Sequence, residues 1–131
     1  MHFPQHARRA PLRGFRLLEL SNELKLAIYA LIERPHVNID RGFCDQIRDA
    51  VASAPANIAE GFGRRSDTEF ARFLDFARGS LNECRNHIAD ARDRRFIEEE
   101  EQLALDALAS RAVGAIAGLQ RYLRRRKRKH A

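Results

Sequence analysis

The sequence contains no tryptophan, one methionine and two cysteines. Valine and threonine, which favour strands, are scarce, while alanine and leucine dominate, so the composition favours helix over sheet. No apolar–polar alternation is long enough to predict a strand. Cys44 and Cys84 lie 40 residues apart without a C-x-x-C spacing, which excludes the usual zinc and redox motifs. We expect both thiols to be reduced and buried.

Long apolar runs are also missing. No stretch approaches the ~20 residues of a membrane span, and the N-terminal stretch is basic without the apolar segment of a secretion signal. We therefore expect a cytoplasmic protein with no membrane partner. With 131 residues, 44% hydrophobic and 32% charged, the chain is typical of one globular domain.

The sequence lacks the residue arrangements on which most catalytic sites depend. There is no nucleophile elbow, and the stretch GFGRRS has neither the strand nor the spacing of a phosphate-binding loop. A di-metal site in a helical bundle would need Glu-x-x-His on two helices, whereas Glu83 and His87 are four apart and have no second pair. We expect no enzymatic activity, no metal and no cofactor.

The net charge of +6 is concentrated at the two ends of the sequence. Residues 1–16 carry four arginines and residues 121–129 carry seven basic residues, with no acid in either, so these ends total +11 and the remainder is −5. Such ends favour RNA or DNA, bound through phosphates. A tail that only increases solubility is the alternative. The candidate nucleic-acid-binding residues are Arg64, Arg65, Arg121, Arg124, Arg125, Arg126, Lys127, Arg128 and Lys129.

Apolar residues recur at steps of three and four in four segments, which predicts four amphipathic helices. The predicted helices are residues 15–34, 44–60, 66–93 and 96–126. The third starts with a capping box, Ser66 and Glu69. Short connections then predict an all-α fold, an antiparallel up-and-down four-helix bundle. Residues 1–14 are expected to form a flexible basic segment, residues 15–123 the bundle and residues 124–131 a basic tail.

The same spacing predicts the core. The expected stripes of the third and fourth helices are Phe70, Phe73, Ala77, Leu81, Cys84, Ile88 and Ala91, and Leu105, Leu108, Ala112, Ala115, Leu119 and Tyr122. A hairpin folded about residue 64 places Cys44 level with Cys84, and Ser80 level with Asp49 and Ala50. Gly79 is expected to let the two helices approach closely. Surplus apolar residues, which suggest self-association, are Phe15, Phe43, Ile97 and Tyr122.

The corner between the second and third helices has a specific pattern, S-x-P-x-N-I-A-E-G-x-G-R. Its residues are Ser53, Pro55, Asn57, Ile58, Ala59, Glu60, Gly61, Gly63 and Arg64. It is preceded by Gln46, Ile47 and Arg48 and followed by Ala77, Arg78, Gly79, Ser80 and Glu83. From the residues alone we interpret it as a polar corner, in which Asn57 bonds nearby carbonyls and Glu60 reaches the turn or Arg64. A functional role of these residues is the alternative.

With these motifs, residues 15–123 resemble the four-helix-bundle family of 23S rRNA intervening-sequence proteins. That family is similar in fold to the accessory protein of diversity-generating retroelements, a five-subunit barrel that binds nucleic acid and a reverse transcriptase. The resemblance implies a homopentameric ring and a nucleic-acid-related role, and it implies no reaction. The alternative is a protein–protein scaffold or an accessory subunit that docks a partner such as a reverse transcriptase. Arg94 and Arg95 depart from the family's leucine-glycine at the end of the third helix.

Overall fold

The computed structural model describes residues 11–129, with the side chains of residues 12–126. These residues form five helices and no strand. The helices are α1 (Pro11–Ile32), α2 (Pro35–Asn38), α3 (Arg41–Phe62), α4 (Asp67–Asp93) and α5 (Glu99–Lys129). The long helices α1, α3, α4 and α5 each pack against two others, α1 against α3 and α5, and α4 against α3 and α5. The predicted all-helical bundle is confirmed.

Helix α1 begins at Pro11, four residues before the predicted start at Phe15. Proline is tolerated in the first turn because its missing N–H would have no partner there. Gly14 is buried, and a Cβ at this position would overlap the ring of Phe62 at the end of α3. Residues 11–14 therefore belong to the bundle, and the predicted boundary at residue 15 is wrong. Residues 1–10 of the predicted flexible segment lie outside the described residues.

The segment between α1 and α3, predicted as a loop, contains the single turn α2, which buries Val37. Asp40 caps α3, accepting a hydrogen bond from the Phe43 backbone N–H at 3.1 Å. Helix α3 therefore starts at Arg41, earlier than predicted, and it continues through Pro55 to Phe62. The apolar residues that recur at steps of three and four in this predicted segment are all buried, namely Cys44, Ile47, Val51, Ala54 and Ile58.

The predicted third helix is confirmed: Ser66 Oγ accepts from the Glu69 backbone N–H at 3.1 Å, and α4 ends at Asp93. Leu74, rather than the predicted Phe73, completes its buried stripe. The predicted hairpin register is wrong by about one turn. The Ser80 hydroxyl lies 2.8 Å from that of Ser53, not level with Asp49 and Ala50.

Helix α5 starts at Glu99 and buries Leu105, Ala109, Ala112, Ile116, Leu119 and Leu123. The predicted stripe contained Leu108, Ala115 and Tyr122, which are only half-buried. Leucine and alanine occur on several sides of this helix, so the spacing did not select one face. The helix continues to Lys129, and the predicted separation of a tail at residue 124 is therefore wrong for the backbone of residues 124–129.

The start of α1, the α3–α4 turn and the end of α5 meet at one end of the bundle. There Phe62 lies between Phe15 and Phe70, with ring centroids 6.3 and 5.1 Å away. At the other end, Phe96 contacts Phe43 at 5.1 Å. Phe43 and Ile97 are buried in the core, so they are not the surplus apolar surface that the sequence suggested.

Candidate nucleic-acid interface

The two ends of the bundle differ in charge. We call residues 11–16, 62–69 and 119–129 the basic end; they include eleven Lys or Arg and two Asp or Glu, a formal charge of +9. We call residues 30–45 and 88–102 the acidic end; they include five Arg and nine Asp or Glu, a formal charge of −4. Folding therefore brings the start of α1, the α3–α4 turn and the end of α5 to one pole.

Arg126 is tied down within this basic end. Its Nε donates to Asp67 Oδ2 at 2.8 Å, and its Nη2 donates to Asp67 Oδ1. Its side chain is 9% exposed, and the hydrogen bonds to Asp67 raise the pKa of Arg126 above its ordinary value. Sequence reasoning assigned Arg126 to nucleic-acid binding; in the structure its guanidinium is engaged by Asp67 and joins the end of α5 to the start of α4.

Arg64 is also partnered. Its guanidinium donates to Glu60 at 2.7 Å and lies 4.5 Å from the ring centroid of Phe73. The predicted contact between Glu60 and Arg64 is therefore confirmed. Arg65, the next residue, is exposed and makes no ion pair among the described side chains. Both arginines lie at the same end as the last turns of α5, which places them beside the other candidates.

Arg121, Arg124 and Arg125 are exposed on the last described turns of α5. Within residues 12–126 none of the three pairs with a carboxylate. The backbone of Lys127, Arg128 and Lys129 continues the helix, and their side chains lie outside the described residues. The predicted candidates with open guanidiniums are thus Arg65 and these three arginines.

Arg13 was absent from the predicted set. Its guanidinium lies 5.3 Å from the ring centroid of Tyr122, beside the same turns of α5. Pro11 and Gly14 argued against a helix there, so the sequence placed Arg13 in a flexible segment. The positive charge of Arg13 was the one feature of the sequence that could have marked it as a candidate. No residue pattern linked it to Tyr122.

The corner motif forms a polar cluster on the surface between α3 and α4. Asn57 Nδ2 donates to the Ser53 carbonyl at 2.9 Å and to Ser53 Oγ at 3.0 Å. The Ser80 hydroxyl contacts the Ser53 hydroxyl at 2.8 Å and donates to the Phe76 carbonyl. The expectation that Asn57 bonds a nearby carbonyl is confirmed. This cluster satisfies its own polar groups, as expected for a structural corner.

The other motif residues have separate roles. Pro55 is buried in α3, and Glu83 is exposed, 3.6 Å from His87 Nε2. Gly63 caps α3 in the ordinary helical region, at φ −79°. The sequence suggested that Gly61 lies just past the end of this helix, but in the structure it lies inside α3. A Cβ on Gly61 would lie 2.8 Å from Cδ1 of Phe70, so the close approach of α3 and α4 requires glycine there.

Gly79 does not have the role that the sequence suggested. It is exposed, and a Cβ there would meet nothing within 4 Å. The approach of α3 to α4 therefore does not depend on Gly79, and packing within the chain does not explain a glycine at this position.

The two thiols are buried, as expected. Burial raises the pKa of Cys84 to about 12, and Cys44 Sγ donates to the Val37 carbonyl at 3.4 Å. A neutral thiol in this setting is a poor nucleophile. Among the described residues, no group of three or more His, Cys, Asp or Glu side chains is arranged to hold a metal ion.

Part of helix α5 is unusually apolar for a helix at the surface of a bundle. Over Glu99–Arg126 it has the length and apolar composition of a membrane span, so the expectation that no stretch approaches one was wrong, although its buried stripe packs in the bundle core. Only 28% of the most apolar part of this helix is buried. The exposed residues between Leu103 and Gly114 include one charge, Arg111. The outward face of α5 in this stretch is therefore largely apolar, with small residues, and contains Ser110 and Arg111.

The chain also matches a known protein family. Residues 14–118 match the sequence profile of the 23S rRNA-intervening sequence proteins. No curated protein sequence matches the chain. The match covers the corner motif and ends before Arg121, so the arginines at the end of α5 lie outside the part of the chain that the profile describes.

Proposed function

We propose that this chain, which belongs to the 23S rRNA-intervening sequence protein family, is a non-enzymatic protein that binds RNA or DNA through phosphate contacts at its basic end. One observation carries the proposal: Arg121, Arg124 and Arg125 are exposed together at a pole of charge +9, without carboxylate partners in the described residues. The family name supports an association with ribosomal RNA sequences.

The chemistry of arginine suits this role. A guanidinium is always charged and presents its N–H donors in a plane that fits two phosphate oxygens. Each phosphate that is neutralised releases counterions, so affinity should fall steeply as salt rises. The arginines project from the outside of one helix end, and this favours the phosphate backbone over base edges. We therefore expect binding with little sequence preference.

The test is fluorescence anisotropy of a labelled structured RNA over a salt series. One variant replaces Arg124, Arg125, Lys127 and Lys129 with glutamine and keeps Arg126, so that its pair with Asp67 remains. We expect affinity at low salt to fall by roughly 10²-fold, with a flatter salt dependence. The matched control replaces four other cations without described carboxylate partners, Lys25, Arg41, Arg72 and Arg95, and should lose much less.

Two results would overturn the proposal. Equal losses in the two variants would show that only net charge matters, and no binding by the wild-type chain at low salt would leave the scaffold alternative. In that case the chain would serve as an accessory subunit for a protein partner, and RNA or DNA would not be its ligand.

We also propose that the chain self-associates, with the outward face of α5 in the interface. Leu103 is 62% exposed on this face, next to Ala104 and Ala107. A helix face of small apolar residues allows close contact with another helix, and it would bury surface that is otherwise in water. The five-subunit ring implied by the family resemblance is the assembly that we propose.

Light scattering at micromolar concentration measures the assembly. The wild-type chain should have a mass several times the 15.0 kDa of one chain. Leu103→Glu should dissociate it, whereas Leu26→Glu, at an equally exposed position on α1, should not. A wild-type mass near 15.0 kDa would exclude the assembly, and an equal effect of the two variants would exclude the α5 face.

A further inference from the structure

We propose that Arg13 and Arg121 form a clamp for one phosphate group over Gly118, where α1 meets the end of α5. The site deepens the proposed function, and it rests on it for the identity of the ligand, a phosphodiester of RNA or DNA. The clamp adds a residue of α1, Arg13, to the proposed interface. The family match covers residues 14–118, so it ends at Gly118 and includes neither Arg13 nor Arg121.

The geometry is set by Gly118. The position that a Cβ would occupy there is 3.8 Å from Arg121 Nη2 and 3.9 Å from Arg13 Nη1. The two guanidinium nitrogens therefore lie no more than about 8 Å apart, and charge-assisted bonds to phosphate are about 2.7–2.9 Å long. A phosphate between them can accept from both at once.

Arg13 is held in place by the fold. Gly14, the next residue, is seated against Phe62, so the first turn of α1 has a fixed position on the bundle. The Arg13 guanidinium then lies over Tyr122 at 5.3 Å. Arg126 lies over the same ring at 5.4 Å, but Asp67 neutralises it.

The electrostatics favour an anion between the two arginines. Neither Arg13 nor Arg121 pairs with a carboxylate among the described side chains, although ion pairs are frequent elsewhere in the bundle. Like charges at this separation repel each other weakly in water, and a phosphate placed between them replaces that repulsion with two attractions. Gly118 places no side chain between the two guanidiniums, and even a Cβ there would lie at ordinary contact distance from both.

The first experiment uses inorganic phosphate as the probe. Thermal unfolding is measured in phosphate and in chloride at equal ionic strength, for the wild type, R13Q, R121Q and the control R41Q, an exposed arginine at the acidic end. Phosphate stabilises most proteins generally, so the clamp is measured as the extra rise in Tm over that of R13Q and R121Q. We expect the extra rise in the wild type and R41Q, and its loss in R13Q and R121Q. Equal rises in all four would overturn the clamp.

Gly118 provides a second, independent variant. Gly118→Ala adds a Cβ at ordinary contact distance and should keep the phosphate response. Gly118→Glu introduces a carboxylate within reach of both guanidiniums, so it should abolish the response without lowering the Tm in chloride. A phosphate response in Gly118→Glu equal to that of Gly118→Ala would count against the site.

RNA binding by the same variants separates this proposal from the proposed function. R13Q and R121Q should each weaken binding by about threefold to tenfold, and the double variant by less than the product, because both arginines hold one phosphate. If RNA binding is lost only when Arg124, Arg125, Lys127 and Lys129 are replaced, the clamp is wrong and the proposed function stands. If the wild type binds no nucleic acid but keeps the arginine-dependent phosphate response, the function is wrong and the clamp serves another phosphate ligand.

Discussion

At the acidic end of the bundle, arginines reach across helix boundaries to carboxylates, whereas at the basic end most arginines face outward without one. Arg34 makes two bonds to Glu101, at 2.8 and 2.6 Å, and Arg94 donates to Asp40 and Asp90, each at 2.7 Å. At the basic end, the pair between Arg126 and Asp67 is the one that joins two helices among the described side chains.

The difference shows that the same residue type has two environments in one small bundle. Cross-helix pairs at the acidic end fix the connections between helices, and their charges are compensated. At the basic end the excess of arginine is only partly compensated. Asp67 pairs with Arg126, and Glu60 and Glu19, just outside the three ranges, pair with Arg64 and Arg16. The other arginines with described side chains have no carboxylate partner among the described residues. The net positive charge of that end therefore favours binding of an anion, which is the physical basis of both proposals.

The largest expected effect on stability concerns the pairs that join helices at each end. Asp67→Asn leaves the guanidinium of Arg126, 9% exposed, without its charged partner, and should destabilise the fold by about 2–3 kcal/mol. Glu101→Gln at the acidic end breaks a more exposed pair and should cost about 0.5–1 kcal/mol. Urea unfolding measures both. Equal losses would show that the two ends do not differ in this way.

The second comparison concerns two glycines at different distances from the basic end. Gly61→Ala forces a Cβ against Phe70, which is fully buried, and should destabilise the fold by about 1–3 kcal/mol. Gly79→Ala meets no atom within 4 Å and should stabilise α4 by about 1 kcal/mol. Thermal unfolding measures the stability change of each variant. A loss of stability in Gly79→Ala would show that the position serves a contact outside the chain.

The third prediction concerns Arg95, at the acidic end, where α4 stops. Arg95 has φ 65°, in the left-handed region, and the Phe96 backbone N–H donates to the Ala91 carbonyl at 2.9 Å. This is the hydrogen bond of a Schellman cap, whose residue is usually glycine. Arg95→Gly should therefore stabilise the fold by about 1 kcal/mol. Arg95→Ala is the control, and a similar gain in it would show that backbone strain is not the cause.

The smallest effect is a pH dependence at the acidic end. Hydrogen bonding to Arg34 lowers the pKa of Glu101 below its ordinary value of 4.5. A lowered pKa in the folded state contributes stability above pH 4.5, and this contribution is lost as the pH falls through the lower folded-state value. The difference in stability between wild type and Glu101→Gln, measured by urea unfolding, should therefore shrink in acid. A difference that stays constant to low pH would contradict the pairing.

Several features could be predicted from the residues, because they depend on neighbours in sequence. The Ser66 cap, the extent of α4, the buried positions of α3 and the family itself are of this kind. The start of α1 was missed because Pro11 and Gly14 have unfavourable local propensities, which contact with Phe62 overrides. The buried face of α5 was misplaced because leucine and alanine surround much of that helix.

The sequence by itself determined that the chain is helical and where the charges lie along it, since helix periodicity and formal charge are properties of local sequence. Tertiary structure alone decided which charges remain open. Arg126 and Arg124 look equivalent in the string RRRKRK, yet the packing of α5 against α4 places Asp67 under Arg126 and leaves Arg124 exposed. Arg13 and Arg121, more than 100 residues apart, meet over Gly118 for the same reason: the antiparallel bundle returns the end of α5 to the start of α1.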